Sequence, residues 1–300
     1  MDEKPRLTTR DFDPDVLQLF DQYVHGAIDR RGFLSGASRF AGAAGAAALL
    51  AALSPQFAAA QQVKPDDARL DATHVTFDSP AGSGKAGGYL VRPKATKDKL
   101  PTVLVVHENR GLNPHIEDVA RRFALEGYIA FAPDALFPLG GYPGDEDKAR
   151  ALFGTLDQAK AREDFIAAAG YLAHVKGGND RMGATGFCWG GGMVNVLATR
   201  LPGLDAAVPF YGVAPPIEDV PKIRAELLVV LAGDDARVNG TWPAYQAALD
   251  AAHVKYALLQ PAGTQHGFHN DTTPRYDEAA ARQAWAAMLA LFSRTLKSTG

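Results

Sequence analysis

The sequence predicts an α/β protein: a mostly parallel central sheet with helices on both faces. Two patterns predict it. After Lys99, short apolar runs alternate with longer segments of helical period, as strands joined by covering helices require. The runs themselves, such as Pro101–His107 and Ala225–Leu231, are apolar at consecutive positions, the mark of strands buried on both faces. Composition is consistent with this. The chain has 300 residues, 47% of them hydrophobic, so it can bury a large core.

Taken in order, residues 1–60 read as a targeting region, 61–72 as a polar linker and 73–300 as one catalytic-size domain of about 230 residues. Thr73–Phe77 and Gly87–Arg92 form a hairpin around the turn residues 79–84. Pro101–His107 is a β-branched central strand. Ile116–Glu126 is a helix ended by Gly127, and Tyr128–Ala132 the next strand. Pro133–Asp145 is a Pro/Gly-rich loop at that strand's carboxyl end, where open α/β sheets border their ligand crevice. Tyr142 is a candidate for lining it. Helices follow at Leu156–His174, Trp242–Ala252 and Asp277–Leu296, with strands at Ala206–Phe210, Ala225–Leu231 and Val254–Gln260. The Ala206–Phe210 strand runs into Tyr211, a second candidate lining residue.

The single cysteine carries the chemistry. Cys188 sits in Gly186-Phe187-Cys188-Trp189-Gly190, after an apolar run and before a helical one. This is the G-x-S-x-G nucleophile elbow with sulfur for oxygen, a turn that lifts the nucleophile out of the fold. The following helix directs its N-terminus at the sulfur and favours the thiolate. Alone, a cysteine in a Gly-rich turn reads equally as a small buried hydrophobe. Its partners follow in the order nucleophile, acid, histidine of the α/β-hydrolase fold. The acid is Asp235, with Asp234 as the alternative, in the loop after Ala225–Leu231. The histidine is His266, in a Gly-bracketed loop after Val254–Gln260. Backbone amides of Trp189 and of Asn109, after the Pro101–His107 strand, are the expected oxyanion-hole donors. Glu108 reads either as a surface carboxylate or as a group that hydrogen-bonds the thiol and controls its ionisation.

No histidine pair has metal-ligand spacing, and His107-Glu108 lacks the second histidine of a zinc-protease helix, so no metal is expected. No cofactor is expected either, since Gly178–Gly192 lacks the Lys and Ser/Thr of a phosphate loop. A net charge of −3 without a basic run argues against nucleic acid as a partner.

At these residues the chain resembles the dienelactone hydrolase family, from about Val75 to the C-terminus. Cys188, Asp235, His266 and Glu108 match that family's pattern. The resemblance implies a hydrolase of small esters or lactones working through an acyl-thioester, with Glu108 meeting Cys188 at rest and His266 activating water. The chain departs from the family four residues after the histidine, where Asn270 replaces an arginine that binds the substrate carboxylate. Arg110, Arg237 and Arg275 are candidates to replace that charge. Rival readings are a thiol acyltransferase or peptidase on the same fold, and an exported binding protein.

The leader reading rests on Asp29-Arg30-Arg31-Gly32-Phe33-Leu34, which resembles a twin-arginine export motif. It precedes the Ala/Gly-rich stretch Ser35–Leu53 and a small-residue cleavage site ending at Ala60. Export to the periplasm through the twin-arginine machinery is expected, with a cytoplasmic or membrane-tethered protein as the alternative. One feature cuts against a simple leader: Val16, Leu17, Phe20, Tyr23, Val24 and Ile28 recur at helical spacing ahead of the motif.

Overall fold

A computed structural model describes residues 6–94 and 96–297. Eight strands form one sheet: β1 (Leu70–Ser79), β2 (Gly84–Pro93), β3 (Leu100–Val106), β4 (Ile129–Pro133), β5 (Gly178–Phe187), β6 (Ala206–Phe210), β7 (Glu226–Val230) and β8 (Tyr256–Leu259). Their spatial order is β1-β2-β4-β3-β5-β6-β7-β8. β1 and β2 form an antiparallel hairpin whose second strand pairs antiparallel with β4; the remaining pairings are parallel.

Ten α-helices accompany the sheet among the described residues. The first three, α1 (Pro14–Val24), α2 (Arg30–Leu53) and α3 (Phe57–Ala60), precede the sheet. α4 (Pro114–Leu125), α5 (Glu146–Phe153), α6 (Gln158–Ala173) and α7 (Trp189–Arg200) lie between strands. So do α8 (Ala236–Asn239) and α9 (Trp242–Ala251), and α10 (Glu278–Leu296) ends the fold. Alternation along the strands divides the core in two. Val103 and Val105 of β3 face α4 and α10, through Ile116, Phe123, Met288 and Phe292. Leu104 and Val106 face α6, α7 and α9, through Phe165, Val194, Leu197 and Tyr245.

Register aligns the carboxyl ends of the central strands. Val106 lies beside Gly186, Gly186 beside Pro209, and Phe210 beside Val230. The residues that follow these ends, Glu108, Cys188, Tyr211 and Asp235, therefore emerge along one edge of the sheet.

Three features differ from the sequence expectation. β1 begins at Leu70 rather than Thr73, because an edge strand with mostly exposed positions carries little apolar signal. The expected linker is anchored too: the amides of Gln62 and Val63 donate to Asp118, at 3.2 and 2.7 Å, and Val63 is buried. The third feature is the N-terminal segment. α1 and α2 form a hairpin with its own core of Val16, Leu17, Phe20, Tyr23, Phe33, Ala37 and Leu50, and it packs on the catalytic domain. The residues of the export-like motif have structural partners in it. Asp29 caps α2 by accepting from the Gly32 amide at 2.7 Å, Arg30 pairs with Asp147 at 2.8 Å, and Phe33 is buried. The stretch Arg30–Ala60 is also long and apolar enough to cross a membrane by length and composition, and is mostly exposed. Gly42 breaks its helix with φ 68°, ψ 175°.

Candidate active site

Cys188 occupies the sharp turn between β5 and α7, at φ 58° and ψ −115°. This left-handed conformation costs a side-chain-bearing residue of order 1–3 kcal/mol, so the surrounding structure must impose it. The flanking glycines show how. A Cβ on Gly186 would lie 2.4 Å from the Gly190 carbonyl oxygen, and one on Gly190 would lie 2.4 Å from that of His107. Helix α7 can approach β3 this closely only without those side chains. It starts at the sulfur, placing its partial positive charge there.

The acid and the histidine are joined. His266 Nδ1 lies 2.6 Å from Asp235 Oδ2, and both side chains are buried. Asp235 also caps α8, accepting from the Val238 amide at 3.1 Å, which fixes its carboxylate. Asp234 is exposed, and its amide extends the sheet by donating to Thr264 at 2.8 Å. That pairing directs residue 234 outward and 235 inward. With Nδ1 committed, His266 Nε2 is buried without a hydrogen-bond partner among the described residues.

A second imidazole, from the N-terminal hairpin, completes the cluster. His25 follows α1; its Nε2 is 3.8 Å from Cys188 Sγ, and its ring meets that of His266 edge-on at 4.7 Å. The sulfur and one ring nitrogen from each of these two histidines all lie within 4.8 Å of one another.

The electrostatics favour a thiolate. Burial pushes the Cys188 thiol up, but the charge of His266 and the contact with His25 outweigh it and bring it down to about 6. Burial opposes a cation on His266, yet the sulfur and Asp235 raise it. His25 is lifted to about 9 against its burial, by Asp21 and Cys188.

Glu108 corrects an expectation. It accepts a hydrogen bond from Asn270 Nδ2 at 2.8 Å, and no hydrogen bond joins it to the sulfur among the described residues. Asn270, a candidate substrate residue, thus spends its amide on Glu108. Both line a cavity of about 420 Å³ that opens on Cys188 and His266. Tyr142, Arg110 and Arg275 line it too, and the two arginines are buried. Tyr211 and Arg237 line a second cavity of about 430 Å³ that also reaches Cys188. The Asn109 side chain donates to the Val24 carbonyl at 3.0 Å. Asn109 and Trp189, each next in chain to a residue of the site, line this second cavity together with Cys188.

A family profile described as "Dienelactone hydrolase family" matches residues 86–296, spanning the sheet from β2 through α10. The chain belongs to the dienelactone hydrolase family. A second profile, "YqhI-like", matches residues 3–43, the region of the α1–α2 hairpin. Among sequence relatives is an Escherichia coli protein named "Putative hydrolase fragment YghX", 54% identical over 112 residues, 37% of this chain and 96% of that one. A Salmonella typhi protein named "Putative carboxymethylenebutenolidase" is 32% identical, covering 72% of this chain and 85% of its own. Among solved structures is a dienelactone hydrolase-like promiscuous phosphotriesterase from metagenomic libraries. It matches at 26% identity with a TM-score of 0.64, over 76% of this chain and 99% of that one.

This dienelactone hydrolase family member has one residue at its sulfur that the sequence did not single out, His25. The apolar positions of α1 were the available signal, since they mark a helix that packs on something. The three other buried histidines among the described residues are engaged elsewhere. His107 Nε2 accepts from the Ala135 amide at 3.0 Å, so it is a core histidine. His115 pairs with Asp271 at 3.2 Å. His269 is stacked between Phe187 and Trp285, and burial with nearby His115 and Arg122 holds it down to about 3.

Proposed function

We propose that this hydrolase cleaves small esters or lactones through an acyl-thioester on Cys188, with His266 as acid and base and Asp235 as its anchor. The observation that carries this reading is one buried sulfur at a strained elbow, beside an imidazole whose other nitrogen is held 2.6 Å from a carboxylate. The Cys188 thiolate attacks the carbonyl carbon, forming a C–S bond. The amides of Trp189 and Asn109 stabilise the oxyanion. The C–O bond then breaks, and the leaving oxygen takes a proton from the His266 imidazolium. The neutral ring accepts a proton from water as the water attacks the thioester. The C–S bond breaks, the acid departs and the thiolate returns.

Arg110 and Arg275 in the cavity wall support an acyl group bearing a carboxylate, in place of the charge that Asn270 does not supply. Export by the twin-arginine route, with cleavage after Ala60, is proposed on the motif and the small-residue site alone. The test of function is Cys188→Ala against aryl esters and lactones, for which turnover is expected to fall to background. Undiminished turnover in that variant excludes the reading.

A further inference from the structure

The site holds one imidazole more than this mechanism uses. The Tyr23–His25 turn reaches from the hairpin into the cleft and is clamped there. The Val24 carbonyl accepts from Asn109 Nδ2 at 3.0 Å and from Arg110 at 3.4 Å. The Tyr23 carbonyl accepts from Arg150, and its hydroxyl donates to Asp147, which also holds Arg30. Val24 lines the first cavity and His25 the second, while Cys188 and Asn109 line both. The turn therefore divides the space from which a substrate can approach.

We propose that the α1–α2 hairpin is a working wall of the active site, and that its His25, braced by Asp21, is the counter-ion that holds the resting Cys188 sulfur as a thiolate. This rests on the reading of Cys188 as the nucleophile. The geometry repeats that of His266 and Asp235. His25 Nδ1 faces the Asp21 carbonyl at 2.9 Å and its carboxylate at 3.2 Å, which leaves Nε2 for the sulfur at 3.8 Å. Arg275 steadies the Asp21 carboxylate at 3.5 Å. His25 thus makes the contact with the resting sulfur that the family resemblance assigns to Glu108, whose carboxylate is engaged by Asn270.

The charged neighbours set the balance. Besides Asp21 and Cys188, His25 faces His266, which repels its charge, and Arg237, whose Nη2 lies 3.1 Å from Nε2. Glu108, Arg110 and Tyr211 flank the sulfur from the loops after β3 and β6. A neutral His25 accepts from Arg237; a protonated one cannot, and turns its Nε2 proton to the sulfur. Protonation thus selects the partner of the ring. The proposal concerns the chain that keeps residues 1–60: the cleavage after Ala60 proposed above would remove His25 and leave His266 alone to hold the thiolate.

The test uses the full-length chain and its single thiol. Thiolate absorbance near 240 nm and the rate of alkylation by iodoacetamide are followed from pH 4 to 10. The wild type is expected to titrate near 6. In His25→Gln the midpoint is expected to rise by about one unit or more, lowering the thiolate fraction at pH 6 about fivefold or more. Asp21→Asn, which keeps the ring and loosens it, is expected to move the midpoint the same way by less. Circular dichroism and thermal melts verify that each variant is folded, and a misfolded His25→Gln leaves Asp21→Asn to decide. Titration curves that overlay the wild type in the folded variants would overturn the proposal and leave the hairpin a passive cover. The readout needs no turnover, so it is distinct from the Cys188→Ala assay of the reaction.

Discussion

Replacing Asp235 by Asn tests how the triad divides its labour. The Asp235 carboxylate has two partners, the Val238 amide at 3.1 Å and His266 Nδ1 at 2.6 Å. Both place a hydrogen on the carboxylate. An amide can keep one of these as an acceptor, and the backbone amide of α8 is the fixed one, so the new NH₂ group turns to Nδ1. His266 must then carry its proton on Nε2, facing the sulfur, and a protonated Nε2 cannot accept a proton from water. The loss expected in hydrolysis of the acyl-enzyme is about 10³- to 10⁴-fold, as for removal of the orienting carboxylate in serine hydrolase triads. That corresponds to about 4–5.5 kcal/mol on the barrier. Acylation is expected to suffer less, because His25 and the Nε2–H of His266 still face the sulfur and support a thiolate there. Stopped-flow assays with an aryl ester should therefore show a burst of released phenol followed by a much slower steady rate, with acylated protein accumulating. Asp234→Asn, at an exposed position, should change both phases less than about twofold. Steady turnover of Asp235→Asn within about threefold of wild type would refute the assignment.

Further outcomes follow from the same geometry. Acylation should rise with pH through about 6 and then level off, because acid protonates the sulfur whose folded-state value is depressed; it should decline again at higher pH, where His266, raised above its ordinary value by the sulfur and Asp235, loses the proton it gives to the leaving oxygen. A pre-steady-state rate profile measures both limbs, and a rise centred above 8 would show an unassisted thiol. Gly190→Ala forces a Cβ to 2.4 and 2.5 Å from the carbonyl oxygens of His107 and Val106. Since neither backbone atom can yield easily, it should cost about 2–3 kcal/mol or more in denaturant unfolding. Arg275→Gln should raise KM about tenfold for an ester with a carboxylate on its acyl group, and change KM for a neutral ester by less than about threefold. Equal effects on both substrates would remove the anion-binding role.

The parallel half of the sheet was readable because strands buried on both faces are apolar at every position, as in β3 and β7. The start of β1 was not, since its edge position leaves Asp71 and His74 in water. Helix α5 went unread because its first turn is charged and it follows a Pro/Gly-rich loop. Within the site, the elbow pattern and the candidates Asp235 and His266 were legible from local spacing, because the elbow ends a strand and the other two sit in the loops that follow strands. His25 was not, since 163 residues separate it from Cys188 and only three-dimensional packing joins them. Glu108 was found by its position after β3, but its partner, Asn270, lies in a loop whose path local sequence does not set.

The central claim is that an acyl group passes through one sulfur. Its most direct test is the intact mass of the Asp235→Asn protein, quenched in acid during turnover of an aryl ester and followed by peptide mapping. The account predicts one acyl group per chain, on the peptide containing Cys188 and released by hydroxylamine at neutral pH. Continued turnover with the thiol unmodified, or an acyl group mapped to another residue, would contradict it.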